Sequence, residues 1–188
     1  MKVHPGLMAQ PWTRFGGTAR LAAAAGLALA SPLIVGGAGR LTSLDARLLA
    51  AHNREREAAG VAPLAWDAEL ARDAAAWGEQ LAAAGAFEHE GTDEEDPDPE
   101  GENLWAGTKG AYTPEAMVGL WAEEKKHFRL GPIPNASLTG AFEDVGHYTQ
   151  LVWRDTDRVG CALATGAEEE VLVCRYRTAG NVEGERPF

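Results

Sequence analysis

The chain has 188 residues, of which 45% are hydrophobic and 24% are charged, and its formal net charge is −11. That length suits one domain with a sizeable core, and the apolar fraction is too high for a disordered chain. Because an acidic surface repels phosphate backbones and anionic lipid surfaces, we do not expect nucleic acid as a partner.

The N-terminal residues predict an exported protein. Lys2, Arg14 and Arg20 precede an apolar run, residues 21–30, which ends in Ala-Leu-Ala. A basic stretch, a short apolar core and a small-residue end are typical of a secretory signal peptide. An uncleaved anchor is the alternative, since the apolar character continues to Ala38, although glycines weaken it as a membrane span. We expect a signal peptide over 1–30, a short segment over 31–42, a mature domain over 43–188, and a secreted protein without a membrane span after processing.

Two helices are predicted at the start of the mature domain. The first covers residues 41–59, where leucines share one face and Gly60 is a natural stop. The second begins after Asp67 as N-cap and ends at Gly85. The segment 88–102 that follows contains nine Asp or Glu among its fifteen residues. Such a charge run is predicted to be a solvated loop.

A third helix is predicted from Thr113, because an N-cap residue, a proline and an acid follow one another there. Its apolar face is formed by Met117, Leu120, Trp121 and Phe128. Glu124 lies three residues after Trp121 and therefore shares this buried face. A carboxylate in that position is costly unless it is paired or coordinates an ion, which makes Glu124 a candidate site residue.

The C-terminal part changes to a period of two. Residues 159–165 and 171–176 flank a short polar loop and are predicted to form a hairpin. This alignment places Leu163 opposite Leu172 and Cys161 opposite Cys174, close enough for a disulfide. Both faces of the hairpin are apolar, so helices must cover both. We therefore expect an α+β fold, a three-layer α-β-α sandwich around a mostly antiparallel sheet.

Three further polar residues are candidates for a site. His147 precedes an apolar run, Glu102 stands where the acidic loop becomes apolar, and His89 begins that loop. Together with Glu124, two imidazoles and two carboxylates form either hydrogen-bonded pairs or a ligand set for a divalent metal, with zinc the usual ion.

Several motifs together resemble the CAP superfamily, which comprises cysteine-rich secretory proteins, antigen 5 and plant pathogenesis-related class 1 proteins. The resemblance runs from about Leu44 to the last residue. The matching motifs are His52-Asn53 with Arg56, Gly60–Asp67, Gly101-Glu102-Asn103-Leu104, Gly146–Trp153, Val159-Gly160-Cys161-Ala162 and Tyr176–Asn181.

The resemblance implies a CAP (SCP-like) domain over 43–188, with the sandwich fold, an extracellular location and a cleft that holds two His and two Glu. Those positions are His89, Glu102, Glu124 and His147 in this chain. It also implies a divalent metal at the cleft, on His89 and His147, and a sterol or fatty acid as an apolar ligand.

Two functions remain open from the sequence. The first is a non-catalytic, monomeric binding module for a small apolar ligand or an extracellular protein. The second is a metal-dependent hydrolase or peptidase in which a cleft glutamate acts as general base. No zincin helix or nucleophile elbow occurs in the sequence, which favours the binding module.

Overall fold

The computed structural model describes residues 43–91 and 97–188. The predicted signal peptide and the segment 31–42 lie outside the described residues. The helices and strands, in chain order, are α1 (Ser43–Ala59), β1 (Ala65–Trp66), α2 (Ala68–Ala84), β2 (Gly101–Thr108), α3 (Pro114–Ala122), α4 (Gly146–Leu151), β3 (Arg158–Thr165) and β4 (Glu169–Arg177). The described residues also include two short 3-10 helices, Glu123–His127 and Phe142–Asp144.

Helix α2 begins and ends where the sequence predicts. The Asp67 carboxylate accepts hydrogen bonds from the backbone amides of Glu69, at 2.8 Å, and Leu70, at 3.3 Å. These bonds satisfy two of the free N–H groups at the helix start. At the other end Gly85 takes a left-handed conformation with φ of 62°, which costs a glycine little.

Helix α3 also begins as predicted, with Thr113 accepting the Ala116 amide at 3.2 Å, but it ends sooner than the apolar pattern suggests. After Ala122 the chain tightens into the 3-10 helix that contains Glu124. Leu120, predicted on the apolar face, is 43% exposed. That part of the prediction is wrong, because the short helix buries only the side that carries Met117 and Trp121.

The four described strands form one sheet in the order β1-β3-β4-β2. Strands β3 and β4 pair in the predicted antiparallel register, with Cys161 opposite Cys174 and Leu163 opposite Leu172. The two cysteines form a disulfide, as expected. Strand β2 joins β4 antiparallel, whereas β1 runs parallel to β3, so the sheet is mixed.

Helices cover both faces of the sheet, which confirms the predicted three-layer α-β-α sandwich. Helix α2 lies against one face, over a cluster formed by Ala74, Leu81, Leu104, Val171 and Val173. Helices α1, α3 and α4 lie on the other face, around a larger cluster. Within the described part of the chain, no helix is long and apolar enough to span a membrane.

Candidate functional site

The first half of the candidate site is a pair formed by His89 and Glu102. The Nδ1–H of His89 donates to Oε1 of Glu102 at 2.5 Å, and the Glu90 amide donates to the same oxygen at 3.3 Å. Glu102 stands at the beginning of β2, and its side chain is 9% exposed. The strand thus holds the carboxylate, and the carboxylate fixes the orientation of the imidazole.

The second half is a pair formed by His147 and Glu124. The Nδ1–H of His147 donates to Oε1 of Glu124 at 2.6 Å. The backbone amides of His147 and Tyr148 donate to the other carboxylate oxygen, at 2.9 and 3.1 Å. Because these are the first free amides of α4, Glu124 also satisfies the start of that helix. The early end of α3 therefore brings Glu124 to α4.

The imidazole of His147 leaves one nitrogen without a partner. Its ring stacks on Trp121, with centroids 6.1 Å apart and planes inclined by 11°. Its Nε2 is buried and has no hydrogen-bond partner in the structure. A buried polar atom without a partner costs free energy, so this nitrogen points to a ligand.

Asn103 connects α4 to β2 next to Glu102. Its amide Nδ2 donates to the carbonyl of His147 at 3.1 Å and lies 3.3 Å from the hydroxyl of Tyr176. Nearby, a Cβ on Gly101 would lie 2.3 Å from Oε1 of Gln150, so a larger residue there would displace this buried side chain of α4. The backbone of His147 is thereby held beside the residue that follows Glu102.

The four predicted residues do not form one compact ligand cluster. No three of them bring one ligand atom each within 4.8 Å of one another. The described residues hold one group that meets this distance, His52 with Cys161 and Cys174. Its sulfurs are joined as a disulfide, and both ring nitrogens of His52 have partners, so it is not a metal site. The tetrad is instead two histidine–carboxylate pairs.

Arg175 is a residue of the site that the sequence reasoning missed. It lies directly across from Glu102 in the sheet, and its side chain is 8% exposed. Its Nη2 is 3.0 Å from Oε2 of Glu102 but is not aligned for a hydrogen bond, so the contact is an ion pair. The guanidinium also contacts Glu90 and lies 3.9 Å from Glu100. The sequence contained one signal for this residue. Arg175 and Arg177 stand at alternate positions of β4, and the chain also carries an acidic loop with which they could pair.

Burial and charge act in opposite directions on Glu100. Burial raises the pKa of its carboxyl above the ordinary value, while Arg175 and Arg177 lower it. Desolvation is the larger effect, because it disfavours the ionised form at this partly enclosed position.

A groove of about 640 Å³ lies away from the tetrad, between α2 and β3. Small side chains dominate its lining, which includes Ala75, Ala82, Ala162 and Ala164. None of the four tetrad residues lines it. An apolar molecule in this groove would therefore bind independently of the histidines.

The chain is similar to known proteins over most of its length. The family model described as the cysteine-rich secretory protein family, CAP, matches residues 49–176. Pathogenesis-related protein PR-1 of Medicago truncatula is 33% identical over 148 residues, covering 78% of this chain and 80% of the relative. Pathogenesis-related protein 1A of Nicotiana tabacum is 35% identical over 158 residues, covering 83% and 88%. The crystal structure of NaASP2 with Zn²⁺ has a TM-score of 0.63 at 22% identity, covering 78% and 86%, and shows the shared fold.

Proposed function

The chain belongs to the cysteine-rich secretory protein (CAP) family, and we propose that it is an extracellular binding module. The module holds a divalent metal ion, zinc by preference, on His89 and His147. The proposal rests on the family membership and on the geometry of the cleft. The observation that carries the proposal is the buried Nε2 of His147, which has no hydrogen-bond partner among the described residues.

Each histidine is oriented like a metal ligand, although the four residues are not gathered into one cluster. Each histidine has its Nδ1 held by a carboxylate, at 2.5 Å for His89 and 2.6 Å for His147. Metal-binding histidines are usually oriented in this way, with a carboxylate on one ring nitrogen and the metal on the other. The glutamates then act as orienting groups, and the Nε2 atoms as the ligands. A bound ion would supply a positive centre for an oxygen or nitrogen atom of a partner molecule.

The hydrogen bonds of the two carboxylates favour binding over hydrolysis. Glu124 accepts three hydrogen bonds on its two oxygens. Glu102 accepts two on Oε1, and its Oε2 faces Arg175. A general base needs a free oxygen within reach of the proton that it removes. Both oxygens of Glu124 are occupied, and the remaining oxygen of Glu102 is buried against Arg175 rather than open to a substrate, which supports a binding module over the metal-dependent hydrolase.

The test is a calorimetric titration of Zn²⁺ into the metal-free secreted protein. We expect saturable binding at one site, which the His89→Ala/His147→Ala double variant loses. His127→Ala is the matched control, because it removes a histidine from outside the tetrad and should leave the affinity unchanged. Absence of binding, or equal binding in wild type and double variant, would overturn the proposal.

A further inference from the structure

We infer that Arg175 is the positioning residue for the His89 half of the site: its guanidinium holds Glu102 and the start of the acidic loop, and these two together orient His89. The inference rests on the proposed function in taking His89 as a metal ligand. Arg175 itself is not one of the four predicted site residues.

The sheet itself places Arg175 on Glu102. The two residues are direct cross-strand partners of β4 and β2, so their side chains lie on the same face. Both side chains are more than nine-tenths buried, at 8% and 9% exposure, and Nη2 is 3.0 Å from Oε2. Removing one member of such a pair leaves the other charge buried and unpaired. Glu102 therefore depends on Arg175 to keep its present orientation.

Arg175 also holds the backbone next to His89. Its Nη2 contacts the carboxylate of Glu90, the residue that follows His89. The amide of Glu90 in turn donates to Oε1 of Glu102, the oxygen that accepts from His89. The ring of His89 and the backbone beyond it are thus both linked to one guanidinium.

The charges around Arg175 explain why a neutral residue would not replace it. Glu90, Glu100 and Glu102 all face this guanidinium. Without it, three carboxylates would repel one another across a partly buried space. We expect the loop to move outwards in that case, taking His89 with it.

Arg177 provides a matched control on the same strand. It lies two residues further along β4 and pairs with Glu100 at 2.9 Å, Asp98 at 3.5 Å and Glu69 at 3.7 Å. It therefore shares the acidic loop with Arg175, but none of its ion pairs includes Glu102 or Glu90. A general effect of charge on the loop should appear in variants of both arginines, whereas positioning of His89 should appear only at Arg175.

The experiment compares Arg175→Met, Arg175→Lys and Arg177→Met by two readouts. In metal-free protein, long-range ¹⁵N NMR reports whether the Nδ1–H of His89 remains hydrogen-bonded; we expect this signature to be lost in Arg175→Met and kept in Arg177→Met. For zinc, we expect roughly 10-fold to 100-fold weaker binding in Arg175→Met, the range for residues that orient a ligand, and no comparable change in Arg177→Met.

The lysine variant keeps the test decisive if the methionine variant fails to fold. Arg175→Lys retains a positive charge in the sheet, but an ammonium lacks the rigid plane that directs Nη2 at Glu90 and Glu102 while Nη1 faces Glu100, so His89 should lose its NMR signature in a folded protein. A wild-type His89 signature and zinc affinity in a folded Arg175 variant would overturn the inference. If wild type binds no zinc while the NMR result is as expected, the proposed function fails and the positioning role stands.

Discussion

His52 is a neutral histidine in the centre of the molecule, and its hydrogen bonds identify its tautomer. Nδ1 lies 2.8 Å from the carbonyl of Leu48, which can only accept, so Nδ1 carries the proton. Nε2 is then the acceptor for the hydroxyl of Tyr176 at 2.9 Å. Burial lowers the pKa of His52 from 6.5 to about 4 and raises the pKa of Tyr176. Both groups are therefore uncharged at neutral pH, as their fully buried position requires.

This histidine predicts a loss of stability in mild acid. As pH falls below 6.5, the unfolded chain takes up a proton at His52, whereas the folded protein does not until the pH approaches about 4. The unfolded state binds more protons in this window, so the free energy of unfolding decreases, by about 3 kcal/mol in total. Denaturant titrations between neutral pH and pH 4 measure the effect.

His52→Gln is the control for that experiment, because it removes the titrating group. The variant should be less stable at neutral pH, but the difference between wild type and variant should shrink as the pH falls. A difference that does not change with pH would contradict the prediction.

A second prediction at the residue scale concerns Glu124. Glu124→Gln retains one oxygen acceptor but loses the charge that holds the Nδ1–H of His147 and the first amides of α4. We expect zinc affinity to fall roughly tenfold, with a loss of about 1–2 kcal/mol in the free energy of unfolding. Glu123→Gln is the matched control, since Glu123 is the neighbouring glutamate and its side chain is exposed. Equal zinc affinity in the two variants would contradict the assigned role.

The sequence identified a site residue only where that residue differed in character from its neighbours in the chain. Glu124 is conspicuous in the sequence because a carboxylate continues the predicted apolar helix face, although the structure places it in the 3-10 helix after α3. Arg56 shows the opposite case: it is fully buried, yet its partners are carbonyls of Ala62, Leu151, Trp153 and Thr156, mostly far along the chain. Arg175 is similar, because its role depends on the pairing of β2 with β4. No local pattern contains that information.

At the scale of the elements, the hairpin was predictable and β2 was not. In β3 and β4 the alternation of apolar residues and the short loop together fix one register, since a shift by one residue would turn every side chain to the other face. Strand β2 begins inside the acidic loop, contains Gly101 and Gly107, and pairs with a partner about seventy residues later in the chain. Its existence depends on that distant pairing rather than on its own composition.

The disulfide of this hairpin yields a prediction of its own. Cys161 and Cys174 are 13 residues apart and buried, so their bond closes a short loop. In the chain-entropy model, Cys161→Ala/Cys174→Ala should lower the free energy of unfolding by about 3 kcal/mol while the fold is kept, because the register does not depend on the bond. Denaturant titration of wild type and double variant measures this.

Thiol labelling is the complementary measurement for the same bond. Wild type unfolded without reductant should show no free thiol, and reduction should expose two. Full labelling without reductant would contradict the disulfide.

At the scale of the whole molecule, the sandwich follows from one feature of the sequence. A hairpin with two apolar faces cannot leave either face in water, and α2 covers one face while α1, α3 and α4 cover the other.

The prediction that the acidic segment 88–102 is a solvated loop is only partly correct. Its described ends are not simply solvated, because Glu90 and Glu100 are paired with arginines of β4. A run of like charges indicates exposure only when no opposite charge lies on the surface beneath it.

The net charge of the molecule predicts how it behaves at membranes. Removal of residues 1–30 would take away Lys2, Arg14 and Arg20 and change the net charge from −11 to −14. Because like charges repel, we expect a chain without residues 1–30 not to be retained on phosphatidylserine-containing vesicles, either at about 0.15 M salt or at low salt, where screening is weaker and the repulsion stronger.

Neutral phosphatidylcholine vesicles separate charge from apolar contact in that experiment. Leu130 and Leu138, at 57% and 64%, are the most exposed large apolar side chains of the described residues and are the first candidates for insertion. Binding to neutral vesicles that is lost in Leu130→Ser/Leu138→Ser would indicate such insertion, and it should weaken as phosphatidylserine is added, since the acidic surface opposes approach. The electrostatic argument would be contradicted if binding became stronger with phosphatidylserine content and at low salt. Such binding would require a basic surface strong enough to outweigh the net negative charge.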